Sequence, residues 1–355
     1  MKEKTRRRLR LLARVMAGIF VALVVLALVL VTHTQIVVGA IQTLSASAVK
    51  TTNTFEPEGE PMDATRDNGQ RIVTEIAYAD EYPNSFLDIT YPDADTSVRR
   101  PTLFYFHGGG FFGGSKSMGD PLASSDVTSL LDDICAAGYN VVNVDYGLVP
   151  DCRFPVPVIQ ANQALAWCEA HAEEHGIDMD DAIVMGSSAG AIITSQMGAV
   201  ISNPEYAAEL GIQPALRASQ VRAVVIDDAP LVYDEFSLGT KILIGNYVRG
   251  TIFLTTEEMH RYDATQWVTS AYPPAVLLGS EYHNDMRHMD AALSEVGAAH
   301  ELIDPLAERG LEIPHCFVAN ERTDEVARDA FERMLAFLER RTGNASPAVM
   351  LTVPK

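Results

Sequence analysis

The chain has 355 residues, of which 47% are hydrophobic, and a formal net charge of −20 at pH 7. This length suits one large α/β domain better than two small ones. The acidic balance excludes a nucleic-acid-binding protein, which needs clustered Lys and Arg on one face, and it favours solubility without naming a substrate.

The N-terminus runs against that balance. Lys2, Lys4, Arg6, Arg7, Arg8, Arg10 and Arg14 form a basic cluster, and an uncharged apolar run from Val15 to Val31 follows. With the polar-flecked stretch through Ile41 it exceeds the roughly 20 residues that a bilayer-spanning helix needs. Residues 1–14 are therefore expected to be a cytoplasmic flank and 15–41 a single-pass membrane anchor or signal segment, with the body extracytoplasmic. The alternative is secretion after cleavage near Ala46-Ser47-Ala48. Ala48 lies far beyond the end of the apolar run, which favours an uncleaved signal-anchor. Residues 42–70, rich in Thr, Glu, Pro, Gly, Asp and Asn, read as a spacer.

From residue 71 the patterning becomes that of a globular domain, expected to reach residue 341, with 342–355 as a tail. Ile72–Tyr78 and Phe86–Tyr91 end in turn residues and read as an antiparallel pair. Further strands are expected at Thr102–Phe106, Asn140–Asp145, Ala182–Gly186, Val221–Asp227, Ala275–Gly279 and Glu301–Asp304. Helical patterns fall between or after them, at Ser124–Ala137, Pro157–His175, Ala189–Val200, Met286–Gly297 and Asp324–Arg340. Strands separated by helices imply right-handed crossovers and a mainly parallel central sheet flanked by helices. The continuous apolar runs Val141-Val142 and Val224-Val225-Ile226 suit strands buried on both faces. Residues 229–272 break the rhythm and are far longer than an ordinary connection. Their aromatic content points to a cap-like insertion.

Two stretches carry chemistry. Ala182–Met185 runs as a strand into Gly186-Ser187-Ser188-Ala189-Gly190 and then a helix, and this Gly-x-Ser-x-Gly turn resembles the nucleophile elbow of α/β-hydrolases, with Ser188 at its apex. Upstream, Thr102–Phe106 leads into His107-Gly108-Gly109-Gly110-Phe111. Three successive glycines cost chain entropy, which makes sense where backbone N–H groups must approach an oxyanion. Gly108 and Gly109, with Ala189 after the nucleophile, are the expected donors.

His107–Phe111, the stretch Val144-Asp145-Tyr146-Gly147-Leu148-Val149-Pro150-Asp151 with Phe154-Pro155, and Gly186–Gly190 together resemble the hormone-sensitive-lipase-like α/β-hydrolase esterases over residues 72–340. That family's strings are HGGGF, VDYRLAPE…FP and GDSAGG. His107, Gly110, Asp145 and Tyr146 are thereby expected to support the motif. Ser187, Ala191 and Gly147 stand where the family has Asp, Gly and Arg. The resemblance implies an α/β-hydrolase fold and a Ser–acid–His order along the chain. His315, in Ile313-Pro314-His315-Cys316-Phe317 between the last strand and the last helix, is the expected general base.

The acid is less defined. The family pattern after strand Ala275–Gly279 places His283 where an aspartate is usual, and an imidazole cannot hold the base in its tautomer. Glu281 is the preferred carboxylate and Asp285 the alternative. His283, Asp285, His288 and Asp290 have metal-like composition, but a solvated helix start explains them better, and no metal or other cofactor is expected. The expected function is hydrolysis of small or short-acyl carboxylic esters through an acyl-enzyme, with membrane attachment through the N-terminal helix. A deacetylase or acyltransferase acting on glycans or other acylated compounds, and a catalytically inactive binding module, are the alternatives. Cys135, Cys152, Cys168 and Cys316 show no metal spacing and allow zero, one or two disulfides. Cys316 is expected to pack beneath His315.

Overall fold

The computed structural model describes residues 2–117, 127–320, 322 and 324–344. The strands are β1 (Asp63–Thr65), β2 (Arg71–Ala77), β3 (Phe86–Tyr91), β4 (Pro101–Phe106), β5 (Asn140–Val144), β6 (Asp178–Ser187), β7 (Val221–Asp227), β8 (Ala275–Leu278) and β9 (His300–Ile303). The helices of the first half are α1 (Lys2–Thr32), α2 (Thr34–Ser45), α3 (Val127–Ala136), α4 (Val156–Ala170), α5 (Ala172–His175), α6 (Ala189–Ser202) and α7 (Pro204–Glu209). Those of the second half are α8 (Leu238–Val248), α9 (Thr256–Tyr262), α10 (His283–Val296), α11 (Pro305–Arg309), α12 (Phe317–Asn320) and α13 (Glu325–Thr342).

The strands form one sheet in the order β1-β2-β3-β5-β4-β6-β7-β8-β9. β1, β2 and β3 pair antiparallel, β3 meets β5 antiparallel, and every later pair is parallel. The expected strands all form within a residue or two, except that β6 begins four residues early; β1, too short to show a pattern, is an addition. The central strands alternate their side chains between two cores. Phe104, Phe106, Val184, Val224 and Ile226 pack on the face covered by α4 and α6. Leu103, Tyr105, Ile183, Met185 and Val225 pack on the face covered by α3 and α13. Such strands read as unbroken apolar runs because both faces are dry. Helix α6 is buried along its whole length, so the elbow that starts it is held by the core on all sides. α3 begins at Val127, and the start expected at Ser124 lies outside the described residues, as does the tail beyond Asn344.

Two N-terminal features differ from expectation. The apolar segment is two helices that break at His33: α1, whose described side chains are exposed apart from the half-buried Leu30 and Val31, and α2, which buries Thr34 and Val38 against the domain. Residues 42–70 are not a loose spacer. Lys50 Nζ lies 2.5 Å from Glu58 Oε1 and 3.2 Å from Asp145 Oδ2. Asn53 clasps Leu148, its Oδ1 accepting from the Leu148 N–H (2.8 Å) and its Nδ2 donating to the Leu148 carbonyl (2.8 Å). β1 then adds to the sheet edge. Polar composition suggested a solvated chain, but here the polar groups satisfy the domain's own backbone.

The insertion at 229–272 folds as α8, α9 and short 3₁₀ turns, and Tyr247 and Tyr262 within it are fully buried. It packs onto the same core as α4 and α6. The four cysteines are buried, and no disulfide joins them among the described residues.

Candidate active site

The elbow is built by steric exclusion. Ser188 adopts φ 55°, ψ −118°, a strained conformation for a residue with a side chain. Its N–H donates to the Asp227 carbonyl at 2.9 Å. A Cβ on Gly186 would meet the Gly190 carbonyl oxygen at 2.3 Å, and one on Gly190 would meet the Phe106 oxygen at 1.9 Å. No side chain fits at either position, which is why the strand-to-helix reversal reads Gly-x-Ser-x-Gly. Ser187, in place of the family's aspartate, donates its hydroxyl to Asp227 Oδ2 at 2.7 Å and accepts from the Tyr105 hydroxyl at 3.1 Å. The elbow is thus tied to the neighbouring strand β7.

His315 Nε2 lies 2.8 Å from Ser188 Oγ. Its other nitrogen, Nδ1, lies 2.5 Å from Asp228 Oδ2. Asp228 sits just past the end of β7, fully buried, with φ 59°. It accepts from the N–H groups of Ser280 (2.9 Å), Glu281 (3.1 Å) and Tyr282 (2.9 Å) and from the Ser280 hydroxyl (2.5 Å). Burial alone would raise its carboxyl, but the His315 and Ser280 interactions outweigh that and hold it below the usual carboxylate range. The Tyr282 ring stands edge-on to His315, centroids 5.4 Å apart, so the imidazole is fixed by a hydrogen bond at each nitrogen and a ring against its face.

This arrangement corrects the expectation for the acid. Glu281 is exposed, and its Oε2 comes no nearer than 3.8 Å to His315 Nδ1; it is the backbone of Glu281, donating to Asp228, that takes part. Asp285 is buried elsewhere. Its Oδ1 accepts from the N–H groups of Leu231 (2.7 Å) and Val232 (2.8 Å), tying the start of the insertion to α10. Burial pushes its carboxyl up to about 6. The carboxylate beside His315 therefore comes from one strand earlier than expected. The available signal was the doublet Asp227-Asp228 ending the apolar run of β7, the strand adjacent to the elbow strand.

The His107–Phe111 loop is firmly braced. Gly109, Gly110 and Phe111 all have positive φ (104°, 56° and 62°). His107 stacks on Tyr146 with ring centroids 4.2 Å apart, and Tyr146 donates its hydroxyl to the His107 carbonyl at 2.6 Å. His107 Nε2 lies 3.3 Å from Asp145 Oδ1, which also accepts from the Lys116 N–H at 2.7 Å. Burial would raise the Asp145 carboxyl, yet His107, Lys50 and Lys116 together hold it low. Phe111 stacks on Tyr247 of α8, centroids 3.4 Å apart. Gln42 of α2 donates to the carbonyls of Phe112 (3.0 Å) and Val149 (2.7 Å). The N–H groups of Gly108, Gly109 and Ala189 have no acceptor among the described residues. His107, Asp145 and Tyr146 are therefore brought together as one support beneath the loop, and Gly110 turns within it.

A cavity of about 350 Å³ opens beside His315, lined by Glu281, Leu306, Leu311 and Ile313 among others. The Cys316 sulfur lies within 4.8 Å of the Asp228 and His315 ligating atoms. His283 and His288 are not brought to this centre. His283 Nδ1 contacts the Ser280 carbonyl (3.1 Å) and His288 Nε2 pairs with Glu235 (3.0 Å).

A mainly parallel sheet with Ser188 on a strand-to-helix elbow defines an α/β-hydrolase. The chain belongs to the BD-FAE family, whose model matches residues 87–285; it is a member of the hormone-sensitive-lipase-like esterases. Among its relatives, the esterase LipC of Mycobacterium tuberculosis is 27% identical over 135 residues, covering 38% of this chain and 32% of LipC. An ethyl acetate hydrolase of Pseudomonas putida is 35% identical over 112 residues, covering 30% of this chain and 33% of that protein. The chain thus spans about a third of the length of these two relatives. Esterase B of Lactobacillus rhamnosis shares the fold with a TM-score of 0.63 at 16% identity, covering 86% of this chain and 92% of its own.

Proposed function

We propose that the protein is a serine esterase anchored by its N-terminal helix, acting on small or short-acyl carboxylic esters. The observation that carries this reading is the relay of Ser188 Oγ, His315 and Asp228, at 2.8 and 2.5 Å. In the proposed mechanism, His315 Nε2 takes the Ser188 proton as Oγ attacks the ester carbonyl. Asp228 keeps the His315 proton on Nδ1 and stabilises the imidazolium that forms. The N–H groups of Gly108, Gly109 and Ala189 receive the oxyanion, each donor contributing about 3 kcal/mol to the transition state. His315 then protonates the leaving alcohol, and a water deprotonated by the same nitrogen releases the acid. The relative named for ethyl acetate fits a short acyl group.

The anchor reading rests on α1. Its stretch Arg6–Thr32 is long and apolar enough to cross a bilayer, and its described side chains are exposed but for Leu30 and Val31, which lie at the domain. The basic cluster ahead of the apolar run would stay cytoplasmic, putting the domain on the other side.

Ser188→Ala is the test. Hydrolysis of p-nitrophenyl acetate by the full chain in detergent should fall to background while the fold persists. Retention of full activity would reject the assignment.

A further inference from the structure

Helix α1 is not joined to the domain by a flexible tether. The carbonyl of Val31, in its last turn, accepts from the Ile252 N–H (3.1 Å) and the Thr251 hydroxyl (3.3 Å). The Thr34 N–H donates to the Gly250 carbonyl (3.0 Å), and the buried Thr34 hydroxyl reaches Asn246 Oδ1 (3.3 Å). The loop after α8 is thereby hydrogen-bonded to the point where α1 ends. A helix that crosses a bilayer fixes the depth of its own last turn, so residues 250–253 share that depth. At this place the surface is apolar. Phe253 is 57% exposed and Ile36, on the first turn of α2, 49%.

The same elements lead to the active site. α8 has 11 residues and is therefore about 16 Å long. Gly250 lies just past one of its ends. Near the other, the Thr240 hydroxyl lies 3.3 Å from that of Tyr282, whose ring packs on His315. Gln42, on α2, holds the Phe112 carbonyl of the glycine loop.

We infer that the 250–253 loop and the start of α2 form a bilayer-docking surface: Phe253 and Ile36 insert among the lipids of the leaflet that α1 leaves, and the insertion, through Tyr247 stacked on Phe111, holds the active site close to it. The substrates this favours are esters dissolved in the membrane, taken up from the lipid rather than from water. This rests on the anchor reading. The partner is the lipid surface itself, identified by continuity with the spanning helix and by the exposed Phe253 and Ile36 beside the point where that helix ends.

The test uses the full chain in phosphatidylcholine vesicles with a single introduced cysteine carrying an environment-sensitive fluorophore; the four native thiols are buried. Phe253→Cys is compared with Val98→Cys, exposed in the loop before β4 at the opposite end of the parallel strands. The label at 253 should be quenched by spin-labelled lipid and shielded from iodide, and the label at 98 the reverse. A 253 label open to iodide in protein that floats with the vesicles would overturn the docking surface and leave the anchor standing. Protein that fails to float would overturn both. As a functional arm, Phe253→Asp should lower hydrolysis of a long-chain alkyl acetate embedded in the vesicles by about tenfold, with p-nitrophenyl acetate turnover unchanged. Equal rates on the embedded ester would also overturn the inference.

Discussion

Replacing Asp228 by Asn separates the two accounts of the acid. In the wild type, Asp228 Oδ1 receives two backbone N–H groups and Oδ2 receives a third, the Ser280 hydroxyl and His315 Nδ1. An amide keeping its oxygen on the two-donor side must turn its NH₂ toward His315. The imidazole then accepts at Nδ1 and carries its proton on Nε2, facing Ser188 Oγ, where it cannot act as a base. A loss of this kind is about 10⁴-fold in kcat, or roughly 5.5 kcal/mol. Glu281, exposed and 3.8 Å from the ring, forms the kind of surface pair that contributes up to about 1 kcal/mol, so Glu281→Gln should cost no more than about fivefold. The assay is kcat/KM on p-nitrophenyl acetate for both variants, with circular dichroism confirming the fold. Asp228→Asn within tenfold of wild type, with Glu281→Gln reduced a thousandfold, would refute the reasoning.

Asp285 titrates in the opposite sense to Asp228. Its folded carboxyl is raised to about 6 by burial, so its contribution to stability is fully present below the unfolded value near 4 and is lost as pH rises through 6. Asp285→Asn, which can still accept from Leu231 and Val232, should remove about 2–3 kcal/mol of that pH-dependent loss; urea unfolding at pH 4 and pH 7 measures it, and an unchanged slope would contradict it. Gly190→Ala places a methyl 1.9 Å from the Phe106 oxygen and should cost about 3 kcal/mol together with nearly all activity, read by thermal unfolding and ester turnover. Wild-type stability in that variant would show that the elbow can relax.

What the sequence made legible is what is local. The elbow and the glycine loop are contiguous strings whose residue types are dictated by close backbone contacts, such as the Gly190–Phe106 approach. The central strands were readable because both faces are buried. The acid was not, because Asp228 and His315 are 87 residues apart and meet only through the packing of β7 beside β6 and β8. Nothing in Ser280–Asp285 itself reveals that its backbone serves a carboxylate from the neighbouring strand. The N-terminal packing was hidden for a related reason: Gln42, Lys50 and Asn53 bind carbonyls, N–H groups and a buried aspartate, contacts that leave no periodic apolar pattern.

The central claim is that Ser188 is a nucleophile activated by His315. Treatment of the full chain with a fluorophosphonate, followed by peptide mass spectrometry, tests it most directly. The phosphonyl group should be found on Ser188 in the wild type, with labelling strongly slowed in His315→Ala and Asp228→Asn. No label on Ser188, or labelling at an undiminished rate without His315, would contradict it.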